Sequence, residues 1–305
     1  MVQPSRLHLG LTILFRPPPS VFRLSMKSLA IVGPGLLGGS IALAARRVGG
    51  FRTGLWARRA EAVAEIAALD VADAASTDLP SIVAAADLVV LCVPIGAMPA
   101  LAREIADAIS PRAIVTDVGS VKASVVAELG AIFRGRGRFV GSHPMAGSEQ
   151  TGIRAARAEL FEDAACIVTP DADSDADAVA DIRTFWKTLG CRVLEVSPAE
   201  HDEITALVSH LPHLLAATLV QTVLSENARA FAFSGPGFRD TTRVAAGPPA
   251  MWAEILRTNR HAVRKSAEAM IEKLRAIITL LEHEQPMTEF LTEAKAQRDR
   301  LRPLQ

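Results

Sequence analysis

The 305-residue sequence contains no tyrosine. This absence excludes every mechanism that needs a phenol as proton donor, including the Tyr-x-x-x-Lys chemistry of short-chain dehydrogenases. Cysteine is scarce, and Cys92, Cys166 and Cys191 lie in apolar, strand-like surroundings without any CxxC pair. Because no cysteine spacing indicates a disulfide framework or a redox pair, we predict buried, reduced thiols in a cytoplasmic protein.

The sequence also lacks an excess of charge, since 33 basic residues balance 33 acidic ones. Nucleic acids and acidic membrane surfaces attract a basic face, so we expect neither as a partner. Residues 205–224 carry no formal charge over about the width of a bilayer. Their histidines, hydroxyls, glutamine and proline predict a buried core helix instead of a membrane span.

Residues 1–26 differ from the rest because they contain arginines, no acid and three consecutive prolines. Met26 lies just before the first predicted strand. We predict a disordered extension or an over-long start. A targeting segment is the alternative, but the apolar stretch 7–15 is short and broken by polar residues, and no small-residue cleavage site follows.

Short apolar runs alternate with amphipathic helical patterns in the first two thirds of the chain. The predicted strands are 29–33, 53–56, 87–94, 113–117, 139–140, 164–169 and 192–196, and the predicted helices are 36–48, 61–69, 97–109, 121–133 and 175–189. This alternation predicts an α/β fold with a Rossmann-type, doubly wound and mostly parallel sheet.

The pattern becomes entirely helical after residue 197. A long helix is predicted over 199–224, with a proline inside it, and residues 251–283 place apolar side chains at three- and four-residue spacing. We therefore predict a dinucleotide-binding domain over 27–197 and a helical substrate and dimerisation domain over 198–305. Long apolar faces in so small a domain indicate burial against a second subunit, and thus a homodimer.

A glycine-rich turn, Gly33-Pro34-Gly35-Leu36-Leu37-Gly38, follows the first strand and opens the first helix. It matches G-x-G-x-x-G, in which glycines allow a tight turn and a close approach of the pyrophosphate to the amides at the helix start. An ordinary glycine-rich turn is the alternative. The residues predicted to contact the cofactor are Gly33, Gly35, Leu36, Leu37, Gly38, Arg58, Arg59, Val93 and Ser120.

The end of the second strand predicts which nicotinamide cofactor binds. An acid there holds the ribose hydroxyls of NAD, but this sequence continues with Arg58 and Arg59 and has no acid until Glu61. Two guanidinium groups can hold a 2′-phosphate, so NADP is favoured over NAD. The alternative is that both arginines are simply exposed to solvent.

Two residues at strand ends are candidates for the chemistry. His143 follows the apolar pair 139–140, and a strand-end histidine beside a nicotinamide can draw off a hydroxyl proton while hydride leaves the carbon. A packed core histidine is the alternative. Ser120 closes Asp-Val-Gly-Ser at the end of another strand and can bind the nicotinamide edge and a substrate hydroxyl, or cap the helix that starts at Val121.

The helical domain supplies further polar candidates. His210 and His213 lie three residues apart on one helix face and so could ligate a metal, but no acidic or cysteine cluster completes such a site. We predict no metal and a carboxylate-binding role instead. Arg243 offers a bidentate fork for a carboxylate, or is an ordinary surface arginine.

Taken together, the segments 33–40, 117–122, 141–149, 209–213 and 237–243 resemble, in order, those of the prephenate and arogenate dehydrogenase family of tyrosine biosynthesis. The resemblance spans residue 26 to about residue 284. It implies a dinucleotide domain followed by a helical dimerisation domain. The implied reaction is hydride transfer to NAD(P) with loss of CO2, giving 4-hydroxyphenylpyruvate from prephenate or tyrosine from arogenate.

The resemblance also implies roles for individual residues. His143 corresponds to the base that accepts the proton of the ring 4-hydroxyl, and Ser120 to the serine that binds this hydroxyl and places the nicotinamide. The family's substrate-binding and pocket-mouth positions correspond to His213, Arg243, Ser209, Ser148 and Glu149. The family's acid after the second strand is missing, which leaves strict NAD use open.

Two other functions compete with this one. A β-hydroxyacid dehydrogenase also joins a dinucleotide domain to a helical one, but its G-x-x-x-N-x-x-K segment is not found in the sequence. A non-catalytic NADP-sensing protein would keep the glycine-rich turn without needing His143, His213 and Arg243 together. Prephenate and arogenate both fit the resemblance, since they differ only by a keto or an amino group on the side chain.

Overall fold

The computed structural model of the chain describes residues 26–148 and 150–300. The predicted N-terminal extension therefore lies outside the described residues, apart from Met26, which is buried. Two parts follow each other along the chain, and we call them the sheet part (residues 26–195) and the helical part (residues 198–300).

The sheet part contains one eight-stranded sheet in the order β3-β2-β1-β4-β5-β6-β7-β8. Its strands are β1 Ser28–Val32, β2 Arg52–Trp56, β3 Ala74–Ser76, β4 Leu88–Leu91, β5 Ile114–Asp117, β6 Arg138–Pro144, β7 Ala165–Thr169 and β8 Arg192–Glu195. All neighbouring strands are parallel except β6 and β7, which are antiparallel. The predicted Rossmann-type, mostly parallel sheet is confirmed.

Helices cover both faces of this sheet. They are α1 Leu36–Val48, α2 Ala60–Ala68, α3 Leu79–Val83, α4 Met98–Ala106, α5 Ala123–Phe133 and α6 Ala176–Thr188. Successive residues of a strand point to opposite faces, so Ile31 joins the core cluster on one side and Val32 the cluster on the other. Burial on both faces explains why β1 and β4 are continuous apolar runs instead of alternating ones.

The helical part contains no strand among residues 198–300. It consists of α7 Pro198–Thr205, a π-helical turn Ala206–His210, α8 Leu211–Asn227, α9 Pro236–Thr242, α10 Pro249–Thr258, α11 Arg260–Glu282 and α12 Thr288–Arg300. Two short 3-10 segments, Ala228–Phe233 and Arg243–Ala246, lie between α8 and α10. The all-helical pattern predicted after residue 197 is confirmed for the described residues.

Several elements differ from the sequence prediction. The helical pattern predicted over 251–283 is divided between two helices, because Asn259 leaves helical geometry and its side-chain amide donates to the Asp202 carbonyl at 2.8 Å. The strand β3 and the helix α3 were not predicted, since three and five residues are too short to show a period. The helix α12 was also missed, because its exposed residues show no apolar stripe.

The predicted core helix over 205–224 is not buried within the single chain. The helical run Pro198–Phe233 is long and apolar enough to cross a membrane by length and composition alone, and only 22% of its most apolar window is buried. Leu207 and Val208 are more than half exposed, as are Ile278 and Leu281 on α11. So large an exposed apolar surface is typical of a face that another molecule covers.

Candidate active site

The glycine-rich turn joins β1 to α1 at the carboxyl edge of the sheet. Gly33 has a φ of +115°, and a Cβ there would lie 2.4 Å from the Cys92 carbonyl oxygen. A Cβ on Gly38 would lie 2.0 Å from the Gly33 carbonyl oxygen. Both positions therefore need glycine. At Gly35 a Cβ would meet nothing within 4 Å, so open space lies beside the residue that precedes the first amides of α1.

The turn after β2 carries the two arginines predicted to select the cofactor. Arg58 and Arg59 are both exposed, and Arg59 is the residue before the first turn of α2. The β2 strand ends at Trp56, whose indole Nε1 donates to the Thr77 carbonyl oxygen at 2.9 Å. The first acid beyond the strand, Glu61, already belongs to α2. The strand end thus presents positive charge, without a carboxylate.

His143 lies inside β6, which is longer than the two-residue strand predicted at 139–140. The antiparallel partner β7 extends this strand to Pro144 and pairs His143 with Ile167. The imidazole is 7% exposed, and its Nδ1 lies 2.9 Å from Nε2 of His201 in α7. The sheet part and the helical part therefore meet at this histidine pair.

The second histidine is in turn held by a carboxylate. The Oδ1 atom of Asp202 lies 2.8 Å from Nδ1 of His201. The same carboxylate accepts the backbone amides of Lys122 at 2.7 Å and Ala123 at 3.0 Å. Asp202 thus caps the N-terminus of α5, where a negative charge is stabilised.

This cap corrects the alternative interpretation of Ser120. The helix begins at Ala123 and not at Val121, and the Ser120 side chain does not cap it. A carboxylate from the helical part does so instead. Ser120 is half-buried in the turn between β5 and α5.

The three side chains His143, His201 and Asp202 form what we call the histidine chain, and its hydrogen bonds determine one tautomer. An ionised carboxylate only accepts, so Nδ1 of His201 must donate to it. Nε2 of His201 then carries a lone pair and accepts from Nδ1 of His143. The remaining nitrogen of His143, Nε2, is left with its lone pair and is the basic atom.

Burial lowers the pKa of His143 well below its usual range, and His201, Lys122 and His210 lower it further. A neutral imidazole is therefore present at neutral pH. Burial also lowers the pKa of His201, against the opposing effect of its hydrogen bond to Asp202. The histidine chain is thus built to supply an uncharged base.

A buried ion pair stiffens the turn that carries Ser120. Lys122 is fully buried and its Nζ bonds to Oδ2 of Asp117, which also accepts the Gly119 amide at 2.7 Å. The Ser142 hydroxyl donates to the Asp117 carbonyl oxygen at 2.7 Å and so ties β5 to β6 just before His143. These contacts fix Ser120 and His143 to the same rigid edge of the sheet.

His213 and Arg243 are brought together by the packing of the helical part. His213 lies in the first turn of α8, is 7% exposed, and stacks on Trp252 with 3.6 Å between ring centroids and 8° between planes. Arg243 begins the short 3-10 helix Arg243–Ala246, which packs against α8. Burial lowers the pKa of His213, and the neighbouring backbone of Val244 opposes this shift.

The π-helical turn explains how His201 and His213 reach one face. They are twelve residues apart, which is about 3.3 turns of a regular α-helix. The wide turn Ala206–His210 absorbs about one residue, leaving about 3.1 turns between them. Single π-turns inside α-helices occur frequently at functional sites. Sequence periodicity contains no signal for this turn.

The remaining predicted residues lie as follows. Ser209 is half-buried in the π-helical turn, and Ser148 is exposed, with its hydroxyl accepting the Gln150 amide at 3.2 Å. Glu149 lies outside the described residues. His210 is fully buried, and burial lowers its pKa to about 4.

His210 and His213, which were predicted to share one helix face, contact different residues. Nδ1 of His210 lies 3.2 Å from the Asn259 amide, whereas His213 stacks on Trp252. Within residues 26–148 and 150–300, no three His, Cys, Asp or Glu side chains cluster as a metal site requires.

The sequence analysis missed the inner half of the site. His201 and Asp202 were not singled out, nor were the buried Asp117–Lys122 pair and Asn259. One signal was available in the sequence. His201 and Asp202 are two titratable residues near a helix start, close to the longest uncharged run of the chain, which is an unusual position for them. Their contacts span 58 and 80 residues of sequence, so only the fold reveals the partners.

Comparison with known proteins agrees with this architecture. The model of the prephenate dehydrogenase nucleotide-binding domain matches residues 41–195, and the model of the prephenate dehydrogenase dimerization domain matches residues 197–295. A cyclohexadienyl dehydrogenase from Zymomonas mobilis is 37% identical over 278 residues, which cover 88% of this chain and 94% of that protein.

Two crystal structures are similar over nearly the whole fold. The prephenate dehydrogenase from A. aeolicus, in complex with hydroxyphenyl propionate and NAD+, superposes with a TM-score of 0.86 and 32% identity, covering 92% of this chain and 99% of that one. The arogenate dehydrogenase from Synechocystis superposes with a TM-score of 0.79 and 30% identity, covering 90% and 99%. The chain therefore belongs to the prephenate dehydrogenase family.

Proposed function

We propose that this protein oxidatively decarboxylates prephenate or arogenate, with NAD(P) as hydride acceptor. The observation that carries the proposal is the histidine chain, which presents a neutral, oriented imidazole at the carboxyl edge of a dinucleotide-binding sheet. Ligands of open α/β sheets bind at this edge. Membership of the prephenate dehydrogenase family supports the same reaction.

The proposed role of His143 is to take the proton of the ring 4-hydroxyl at Nε2. As that proton leaves, the C–H bond at ring C4 weakens, and the nicotinamide supplies an acceptor for the hydride. The ketone formed at C4 draws electrons from the bond to the ring carboxylate, so CO2 departs and the ring becomes aromatic. General-base assistance of this kind is worth about 10²–10⁴-fold in rate.

The histidine chain stabilises the proton that His143 accepts. When Nε2 of His143 becomes protonated, Nδ1 still donates to His201, whose Nδ1 donates to the Asp202 carboxylate. The negative charge at the end of this chain offsets the positive charge that develops on the buried ring. We infer that His201 and Asp202 orient the base without contacting the substrate.

The substrate is held by groups from both parts of the chain. We assign the ring hydroxyl and nicotinamide edge to Ser120, and the substrate carboxylates to His213 and Arg243. Trp252 supports the His213 ring from behind. Because burial lowers the pKa of His213, that ring acts at neutral pH as a hydrogen-bond donor, while the permanent positive charge comes from Arg243. Ser209, Ser148 and Glu149 are proposed to complete the pocket and its mouth.

The residues around the glycine-rich turn fit a dinucleotide. Both Gly33 and Gly38 are required by close backbone contacts, and the open side of Gly35 leaves room for a pyrophosphate over the amides of Leu36 and Leu37. We propose that Val93, two residues beyond the end of β4, lines the same cleft. The exposed Arg58 and Arg59 support a preference for NADP over NAD, because they can hold a 2′-phosphate where a carboxylate would repel it.

We further propose a dinucleotide domain over 27–197, a helical domain over 198–305, and a cytoplasmic homodimer formed through the helical domain. The matched model for residues 197–295 is that of a dimerization domain. The apolar run Pro198–Phe233 also carries two histidines of the proposed site. His201 hydrogen-bonds to His143 in β6, and His213 stacks on Trp252. A second copy of the chain is therefore a better cover for its exposed face than lipid. A monomeric mass at micromolar concentration would contradict the dimer.

Turnover assays test the proposed reaction directly. The purified protein is mixed with prephenate or arogenate and with either cofactor, and absorbance of the reduced nicotinamide is followed together with CO2 release. We expect hydride transfer coupled to CO2 in equal amounts, with at least one of the two substrates. Reduction of the cofactor by simple 3-hydroxy acids, without CO2, would favour a β-hydroxyacid dehydrogenase instead. Cofactor binding without turnover would favour a sensor.

A further inference from the structure

A single side chain of the helical part holds the loop that follows β4. The amide of Gly96 donates to Oε1 of Glu254 at 2.7 Å, across 158 residues of sequence. Glu254 lies in the middle of α10, and Gly96 lies in the short 3-10 helix Ile95–Ala97. The carboxylate is half-buried, so this contact is a defined bond between the two parts of the molecule.

Residues 92–97 form the loop that Glu254 holds. This loop touches both the turn assigned to the cofactor and the turn assigned to the reacting hydroxyl. A Cβ on Gly33 would lie 2.4 Å from the Cys92 carbonyl oxygen and 3.0 Å from Cγ1 of Val93. On the other side, a Cβ on Gly119, next to Ser120, would lie 3.4 Å from Cγ1 of Ile95. The loop 92–97 is therefore packed between the glycine-rich turn and the serine turn.

The helix that supplies Glu254 also supports the substrate pocket. Two residues earlier, Trp252 stacks on His213 at 3.6 Å. A Cβ on Gly247 would lie 2.4 Å from the indole Nε1 and 3.4 Å from Cε1 of His213, so the backbone at Gly247 packs closely against the edge of this stacked pair. One rigid turn of α10 thus connects a proposed carboxylate binder to the loop beside the proposed cofactor site.

We propose that Glu254 is a positioning residue that sets the placement of the substrate pocket relative to the nicotinamide. This inference rests on the proposed function. Hydride transfer requires reacting atoms about 3–3.5 Å apart, and a displacement of about 1 Å by a remote substitution can cost about 10²-fold in rate. The groups assigned to the substrate carboxylates lie in the helical part and those assigned to the dinucleotide lie in the sheet part, so loss of the bond between the parts affects the rate more than the binding of either ligand.

Kinetics of Glu254 variants test this role. We expect Glu254→Ala to lower kcat by about tenfold or more while the substrate KM stays within about threefold. Glu254→Gln keeps an oxygen that accepts the Gly96 amide, and we expect it to restore most of kcat. Equal losses in both variants would overturn the proposal, because the charge and not the bond to Gly96 would then matter.

A double-mutant cycle locates the effect in the bond itself. A Cβ on Gly96 would lie 2.4 Å from Oε1 of Glu254, and Gly96 is not in the left-handed region, so alanine disturbs the partner more than the backbone. We expect Gly96→Ala to lower kcat in the wild-type background and to have little further effect in Glu254→Ala. Additive losses would contradict a shared contact.

Two controls separate this result from misfolding and from a wrong reaction. Melting temperature and mass in solution should match the wild type, and hydrogen exchange in Glu254→Ala should rise in the peptide covering 93–98. Absence of wild-type turnover with both substrates would overturn the proposed function and this inference together. Wild-type turnover with unchanged kcat in Glu254→Ala would overturn this inference alone.

Discussion

The buried histidine chain and the exposed arginines differ in their burial and in the secondary-structure elements that carry them. His143 and His201 are 7% and 0% exposed, lie on β6 and α7, and are fixed by hydrogen bonds of 2.8–2.9 Å. Arg58, Arg59 and Arg243 are exposed on short turns at helix starts. The proposed proton transfer therefore rests on rigid elements, whereas the positive charges proposed to bind anions lie at the surface.

The difference follows from the chemistry of each task. A base must be neutral and held in one orientation, and burial supplies both by lowering its pKa and excluding other partners. A guanidinium that binds a phosphate or carboxylate must remain charged and accessible to a diffusing ligand. Substitutions in the histidine chain should thus change kcat, and substitutions of the arginines should change KM.

The largest effect is expected for His143→Asn. Loss of the base should lower kcat by about 10²–10⁴-fold with little change in cofactor affinity. Steady-state kinetics and cofactor titration measure the two effects separately. The exposed His261 on α11 provides the control His261→Asn. An active His143→Asn enzyme would eliminate the assigned base.

The pH profile of the wild-type enzyme checks the same residue. The usual pKa of an imidazole is about 6.5. Because burial lowers the pKa of His143 well below this value, protonation should disable the base only at a more acidic pH. kcat/KM should therefore hold between about pH 6.5 and 8 and fall on the acid side. A fall that begins above pH 7 would contradict a neutral, buried base.

A smaller effect is expected for Asp202→Asn. Without the carboxylate, Nδ1 of His201 no longer has to donate. His201 can then adopt the other tautomer, in which Nε2 carries the proton and donates it to Nδ1 of His143. That reversal places the proton of His143 on Nε2, where the lone pair is needed, so kcat should fall by about tenfold or more at every pH. Asp175→Asn is a matched control, since Asp175 also caps a helix but touches no histidine. Equal losses of activity in both variants would indicate a purely structural role.

Arg243→Gln tests the exposed side of the comparison. A charge-assisted hydrogen bond is worth about 1.5–3 kcal/mol, so the substrate KM should rise by roughly 10- to 100-fold while kcat changes little. The exposed Arg257→Gln serves as control. A loss confined to kcat would place Arg243 with the chemistry and end the distinction between the two regions.

The smallest effect is expected for the double variant Arg58→Ala/Arg59→Ala. Exposed charges contribute little each, so the KM for NADP should rise by about tenfold and that for NAD by much less. Arg52→Ala, at the opposite end of β2, is the matched control. A wild-type preference for NAD would contradict the proposed role of these arginines.

Local patterns predicted the framework, and distant contacts determined the details. The predicted bounds of α1 agree with the structure, because its glycine-rich start and apolar face are all contained in one short segment. The start of α5 was predicted two residues early, because its cap is a carboxylate 79 residues further along the chain. His143 was found at a strand end, but its partner His201 lies in a helix that no local pattern connects to β6.

The same reasoning explains the misjudged helix over 205–224. Its composition predicted burial, and apolar composition does require a cover, but the cover is not within the single chain. Sequence patterns report how apolar a face is and do not report which molecule covers it.

The π-helical turn Ala206–His210 makes the number of residues in this helix a functional quantity. Deleting one residue there would relax the turn into an ordinary α-helix that still places about 3.1 turns between His201 and His213. A second deletion would instead rotate everything after it by about 100° relative to His201. After the second deletion, helix content would survive, but His213 would no longer share a face with His201. Beyond the loss of that one extra residue, natural or engineered changes of length should therefore be tolerated poorly between His201 and His213, even where the side chains they remove point to solvent.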